Sequence, residues 1–451
     1  MSAASIKATT PITSEVQVRP GARAIAHSIL SKVFILGLQA GTGILTARTL
    51  QPTGRGELAA MILWPLFMAS ITTLGLPSSL IYYLRRKPEE RERLIANGLL
   101  MAAVLGVIAA TGAAFVLPWW LRQYSSSIVH AAEWFLLTVP ICSITLMGRA
   151  ILEASDQFSA SNAIQTLTPF ATLVGLLMLL ATHRLNPYTA ATAYIAASIP
   201  TFWLMVRLVR DVGLRNWHYT PSIMNLMMGY GIRSYGIDLL GTLALQVDQV
   251  LVISLLSPSA MGSYVVVLSL SRMLNLFQNS VVMVLFPKAT GRAATEVIAL
   301  TGNSVRISGL VTGLSAIFVC ATGPMLLRML YGREYADAIG SLRILVIEVV
   351  LSGATFILAQ AFMALDRPGI VTILQGIGLS LSVPMMLWLI PRYGIYGAAI
   401  SLLTSTIARL IFIYSGFRIF LKVDPPRVLP DSRDLKVLFH TALSSRSERA
   451  A

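Results

Sequence analysis

The chain has 451 residues, of which 55% are hydrophobic and 12% charged, with a formal net charge of +15 and a mean hydropathy of +0.71. Soluble domains carry about 25% charged residues, so this composition excludes a water-soluble globule and leaves a polytopic membrane protein. The basic balance needs no nucleic acid, because Lys and Arg gather in short loops that can face anionic lipid.

In chain order, residues 1–23 are polar and lack the charged-then-apolar order of a secretory signal. They read as a cytoplasmic tail. Twelve apolar runs follow, near 24–47, 58–84, 95–117, 128–151, 158–182, 188–207, 229–255, 260–286, 304–327, 340–364, 369–390 and 394–421. Each approximates the roughly 20 residues that cross a bilayer as helix. Connections are too short for a folded extramembrane domain. The final segment, 422–451, with Pro425, Pro426 and Pro430, reads as a mostly disordered cytoplasmic tail. Cys142 and Cys320 lie in apolar runs and predict no disulfide framework. With the N-terminus inside, 23 of the 35 Lys and Arg residues fall in inner segments and eight in outer ones. Positive-inside bias therefore places both termini in the cytoplasm.

The chain also repeats. Pro52 and Gly56 match Pro258 and Gly262 at an offset of 206, Asp156 and Gln165 match Asp366 and Gln375 at 210, and Tyr188 matches Tyr396 at 208. These offsets predict an all-α fold of twelve transmembrane helices in two pseudo-symmetric six-helix lobes, 24–214 and 215–421. Six is even, so the repeat is parallel, with its axis along the membrane normal.

Two lobes around a cleft suit alternating access, which directs attention to polar groups inside the spans. Span 1 carries Ser28, Lys32, Gln39, Thr42 and Thr46 on one helical seam. At the 206 offset, Lys32 falls on Asp238 and Thr42 on Asp248, and span 8 sets Arg272, Asn275 and Asn279 in register, with Gln278 beside them. Arg233 lies close to the inner surface and can snorkel. Glu348 and Arg409 are further charges within spans. Such groups are costly at membrane depth, about 2.5–3.5 kcal/mol each on insertion scales. An Asp–Arg pair can be a static brace between helices, worth only about 0.6–2 kcal/mol. Recurrence at repeat-related positions favours a hydrated cavity. The five histidines suggest no metal site. No nucleophile elbow, metalloprotease motif or P-loop is present. The expectation is a protein that is not an enzyme, with no catalytic residues and no cofactor.

The stretch LQVDQVLVISLLSPSAMGSYVVVLSLSRMLNLFQNSVVMVLFPKATG resembles helices seven and eight of oligosaccharide-lipid flippases, the polysaccharide transporter branch of the multidrug/oligosaccharidyl-lipid/polysaccharide exporter superfamily. So do RTLQPTGRGELAAMILWP, LLRMLYGREYADAIGSLRIL and the DRP…PRYGIYGAA order of residues 366–399. The resemblance implies transfer of a polyprenyl-diphosphate-linked oligosaccharide across the bacterial inner membrane for surface polysaccharide synthesis. It also implies membrane lipids and polysaccharide polymerase or export proteins as partners. By position it makes Lys32, Arg48, Arg272, Asn275 and Arg409 candidate substrate contacts, and Asp238, Asp248 and Glu348 candidates for ion coupling or charge pairing. The alternatives are a drug/cation antiporter of the same fold and a non-transporting scaffold in a glycan-export assembly.

Overall fold

The structure, a computed structural model, describes residues 22–213, 219–290 and 292–428. Among these there is no strand. Fifteen α-helices follow in order: α1 (Ala22–Ile71), α2 (Leu76–Arg86), α3 (Arg91–Trp120), α4 (Ser126–Phe135), α5 (Val139–Ala154), α6 (Phe158–Ala181), α7 (Pro187–Ala196), α8 (Ser198–Gly213), α9 (Pro221–Leu255), α10 (Pro258–Arg272), α11 (Asn275–Ala289), α12 (Ala294–Leu326), α13 (Ile339–Ala364), α14 (Pro368–Tyr393) and α15 (Ile395–Ile419). Helix satisfies every backbone group within its own segment, which lipid demands. The expected lobe boundary at 214/215, residues 1–21 and residues 429–451 lie outside the described residues.

Among the described residues, ten helical segments are long and apolar enough to span a bilayer, or eleven if the bent pair α10–α11 counts as one. Sequence reading gives twelve because its first two runs fall in a single segment, Leu30–Ile71, of 42 residues. At 1.5 Å per residue that is about 63 Å, twice a hydrocarbon core of ~30 Å. The segment is two helices meeting at Gln51, whose φ of 57° and ψ of 178° leave the helical path. Pro52 follows at once; it lacks an amide donor and drives its predecessor out of the α region. The equivalent turn precedes Pro258, where Leu256 and Ser257 are extended and the Ser257 hydroxyl accepts from the Ala260 amide. The repeat is visible elsewhere too: Asp156 and Asp366 both take positive φ, 58° and 59°.

The two copies of this turn pack on each other. A Cβ on Gly56 would collide with the Pro258 carbonyl, and one on Gly262 with the Pro52 carbonyl. Only glycine at both positions allows the backbones so close. The largest apolar cluster lies here and mixes both halves, with Leu58, Met61 and Trp64 against Val252, Met261 and Tyr264. Towards the other end the core divides. One cluster is built around α2, α3, α5 and α8 with the start of α9; another contains only residues from 285 onwards. The halves are joined at the Gln51 end; at the opposite end the core divides, but α9 of the second half still packs on α2, with Tyr82 stacked on Tyr230 at 4.4 Å and Ser79 donating to the Met227 carbonyl at 2.9 Å. Exposed Trp119 and Trp388 carry Arg122 and Arg392 over their rings at 5.3 and 4.2 Å near the Gln51 end. Trp203 and Arg207 form the same pair at 4.7 Å near the other end. Amphipathic aromatic pairs of this kind suit the two bilayer interfaces.

Residues 422–428, expected to be disordered, are instead packed. Val423 and Val428 join the second-half core, and Pro426 lies over Gly302. A proline-rich segment has little entropy to lose, so a modest apolar contact suffices to hold it.

Candidate functional site

Two adjoining cavities lie within the bundle, of 840 and 250 Å³, and share Ile35, Gln39, Gln165 and Arg272 in their walls. Most of the larger wall comes from α1, α5, α6, α7 and α8; the second half supplies Leu245, Gln246, Gln249, Val265 and Arg272. The first half is therefore hollow. The second half fills its interior with side chains: Gln278 donates to the Val349 carbonyl at 2.8 Å, and Thr406 bridges Glu348 and Arg409.

Among the described residues, four cations line the cavities, Lys32, Arg55, Arg149 and Arg272, and no Asp or Glu does. Arg149 has Glu153 one turn on, at 3.7 Å. Arg272 Nη2 donates to Asp248 Oδ2 at 3.1 Å, and the buried Tyr264 hydroxyl donates to the same oxygen at 2.8 Å. Asp248 is only 1% exposed, and its Oδ1 has no partner among the described residues. Arg55 has neither hydrogen bond nor ion pair among the described residues; its Nε and Nη1 are buried without partners. Around these charges stand uncharged donors and acceptors, among them Gln39, Thr42, Gln165, Thr168 and Gln249. Such a wall can hold an anion and hydrogen-bond hydroxyl groups beside it.

The residues singled out from sequence divide into three groups. Lys32, Asn275 and Arg272 meet at the smaller cavity, together with Asn279. Asp248, Glu348 and Arg409 lie in the second half's interior. Asp248 ties α9 to α10; Thr406 donates to Glu348 at 2.7 Å and accepts from Arg409 at 2.8 Å. Arg48 and Asp238 lie apart from both cavities. Arg48 is exposed at the Gln51 end and donates to the Met329 carbonyl; exposed Asp238 accepts from Ser78 at 3.1 Å. We expect Arg48→Ala to leave the protein's function near the wild-type level in a complementation assay, since it contacts no cavity. On the span 1 seam, Gln39 and Thr42 face the cavity, whereas Thr46 turns its hydroxyl to the Thr42 carbonyl at 2.7 Å. The side chain of Ser28 lies outside the described residues.

Sequence reading missed Arg55 and Arg149 as cavity residues because it counted both as loop charges. For Arg55 a signal exists: it follows Pro52 by one helical turn, so it must enter the membrane with its helix.

A hollow, cation-lined membrane bundle of two related halves is the class this fold and cavity define, and solved structures share the fold. Over 89% of this chain and 88% of its own, "Lipid II flippase MurJ, inward closed conformation" superposes with a TM-score of 0.77 at 12% identity. An inward-facing multidrug resistance MATE family transporter of the MOP superfamily gives 0.71 at 15% identity, covering 88% of this chain and 98% of that one. An outward-facing MATE family transporter gives 0.63 at 15% identity, covering 89% and 96%. The chain belongs to the polysaccharide biosynthesis protein family, whose match extends over residues 45–340. No curated protein matches its sequence.

Proposed function

We propose that the protein is a flippase that carries a polyprenyl-diphosphate-linked oligosaccharide across the bacterial cytoplasmic membrane by rocking its two halves. The observation that carries this reading is the cavity wall, which among the described residues has four cations and no acid. A diphosphate headgroup is a dense anion, and cations already held in a low-dielectric site attract it more strongly than they would in water. The Gln and Thr side chains suit sugar hydroxyls. An antiporter for cationic drugs is disfavoured, because the wall offers a cation no carboxylate. The backbone-to-backbone join at the Gln51 end fits a cavity closed on that side, and the positive-inside bias assigns the other side to the cytoplasm.

Cells lacking the protein are expected to accumulate the lipid-linked oligosaccharide in the inner leaflet. Wild type should relieve this and Lys32→Gln should not. Absence of accumulation would overturn the flippase reading. Cys142 lies in the wall of the larger cavity and supplies an access test. With Cys320 replaced by Ser, a membrane-impermeant maleimide should label Cys142 in inside-out vesicles and not in right-side-out cells. Equal labelling from both sides would contradict a cavity closed at the Gln51 end.

A further inference from the structure

Arg55 is the buried cavity cation that has no partner among the described residues. It is 8% exposed, sits in the wall of the larger cavity, and has no hydrogen bond or ion pair among the described residues. A buried, unpaired guanidinium costs several kcal/mol, and it cannot lose its proton to avoid that cost. Groups nearby are engaged elsewhere. Tyr335 donates to the Ala47 carbonyl at 3.1 Å. Glu57 is two residues on, which places it on another face of the helix.

Nor does Arg55 share the position of Lys32 and Arg272. The repeat sets Arg272 at the level of Leu66, three helical turns beyond Arg55, or roughly 16 Å of helix rise. Lys32 lies with Arg272 at the smaller cavity. One diphosphate is only a few ångströms long and cannot reach both places. The rest of the larger cavity's wall includes uncharged Thr145, Gln165, Thr168 and Gln246, together with Arg149, which Glu153 accompanies at 3.7 Å. The larger cavity's 840 Å³ is in the upper part of the range of small-molecule sites, about 300–1,000 Å³.

We propose that the hollow of the first half is a sugar pocket in which Arg55 binds an anionic substituent of the glycan, apart from the diphosphate held near Lys32 and Arg272. The inference rests on the flippase reading and sharpens it: the transported glycan carries a negatively charged sugar near its lipid end. A sugar carboxylate and a sugar phosphate share the required chemistry, and the test separates them.

The experiment uses the full-length protein in lipid nanodiscs and calorimetric titration with four probes: trigalacturonic acid, galactose 6-phosphate, a neutral galactose trisaccharide and farnesyl diphosphate. Wild type is expected to bind farnesyl diphosphate and at least one anionic sugar, and to bind the neutral trisaccharide more weakly. The tighter anionic sugar identifies the substituent. Arg55→Gln should weaken that sugar about tenfold or more, as loss of a charge-assisted hydrogen bond implies, without changing farnesyl diphosphate affinity. Arg55→Lys, which keeps the charge, should recover part of the loss. Lys32→Gln should show the reverse pattern. Wild type binding neutral and anionic sugars equally would overturn the inference whether or not any variant folds. Failure to bind farnesyl diphosphate would instead count against the flippase reading.

Discussion

Gly56→Val is expected to force the two halves apart at the Gln51 end and to abolish glycan export, with Gly262→Val acting from the other side of the same contact. Each glycine faces a backbone carbonyl of the opposite proline turn, Pro258 for Gly56 and Pro52 for Gly262. A side chain there meets main chain on both sides, so no rotamer change relieves the clash. Overpacking usually costs about 1–3 kcal/mol and sometimes more; two rigid obstacles argue for the upper end. The loss should appear as a lower unfolding temperature in detergent. It should also let impermeant maleimide reach Cys142 from the Gln51 side. Combining the two substitutions should cost less than the sum of the single effects, because they disturb one contact. Normal export by Gly56→Val would refute this account of how the halves are closed.

Arg272→Met is expected to be the most damaging single change within the second half. It strands the Asp248 carboxylate, 1% exposed, with Tyr264 as its remaining donor. Breaking a buried ion pair by removing one partner costs about 3–5 kcal/mol. Arg272 is itself about one-third exposed, 32% by side chain, which places the loss at the low end. The double variant Asp248→Asn/Arg272→Gln removes both charges and keeps a hydrogen bond to Tyr264, so the unfolding temperature should recover. Export should not, because Arg272 also lines both cavities. Recovery of stability and export together would make the pair a brace and remove Arg272 from the substrate path.

Much of the fold was legible because lipid leaves few options. An apolar run of about 20 residues must be helix, and a duplicated proline turn announces duplicated halves. The structure's count of ten or eleven segments is lower than twelve because a single residue, Gln51, breaks the helical path by its backbone conformation within one continuous segment, Leu30–Ile71. The expected disorder of 422–428 failed for another reason: composition does not reveal that Gly302 offers a flat place for Pro426. The cavity was half legible. Helical spacing brought Lys32, Gln39 and Thr42 to one wall, and Arg272, Asn275 and Asn279 to another. The repeat misled at Asp238 and Asp248, because equivalent backbone positions in the two halves have different neighbours. One half became hollow and the other filled, so Thr42 meets the cavity where Asp248 meets Tyr264 and Arg272. Glu348 and Arg409, 61 residues apart in sequence, could not be joined without knowing that Thr406 stands between them.

The single-residue break at Gln51 has a practical consequence for handling the molecule. An epitope, protease site or fluorescent domain inserted there would have to unwind two helix ends packed against a second turn, since no slack backbone exists to absorb it. The same holds at Ser257, two residues beyond the end of α9. By contrast, the 155–157 and 365–367 connections at the opposite end already carry left-handed aspartates outside the helices, and inserted sequence can leave and re-enter there without disturbing a span. Reporter tags and topology markers therefore belong at Asp156 or Asp366. A tag that destroys export at Gln51 would report a broken hinge-side contact, and would carry no information about which side of the membrane it faced.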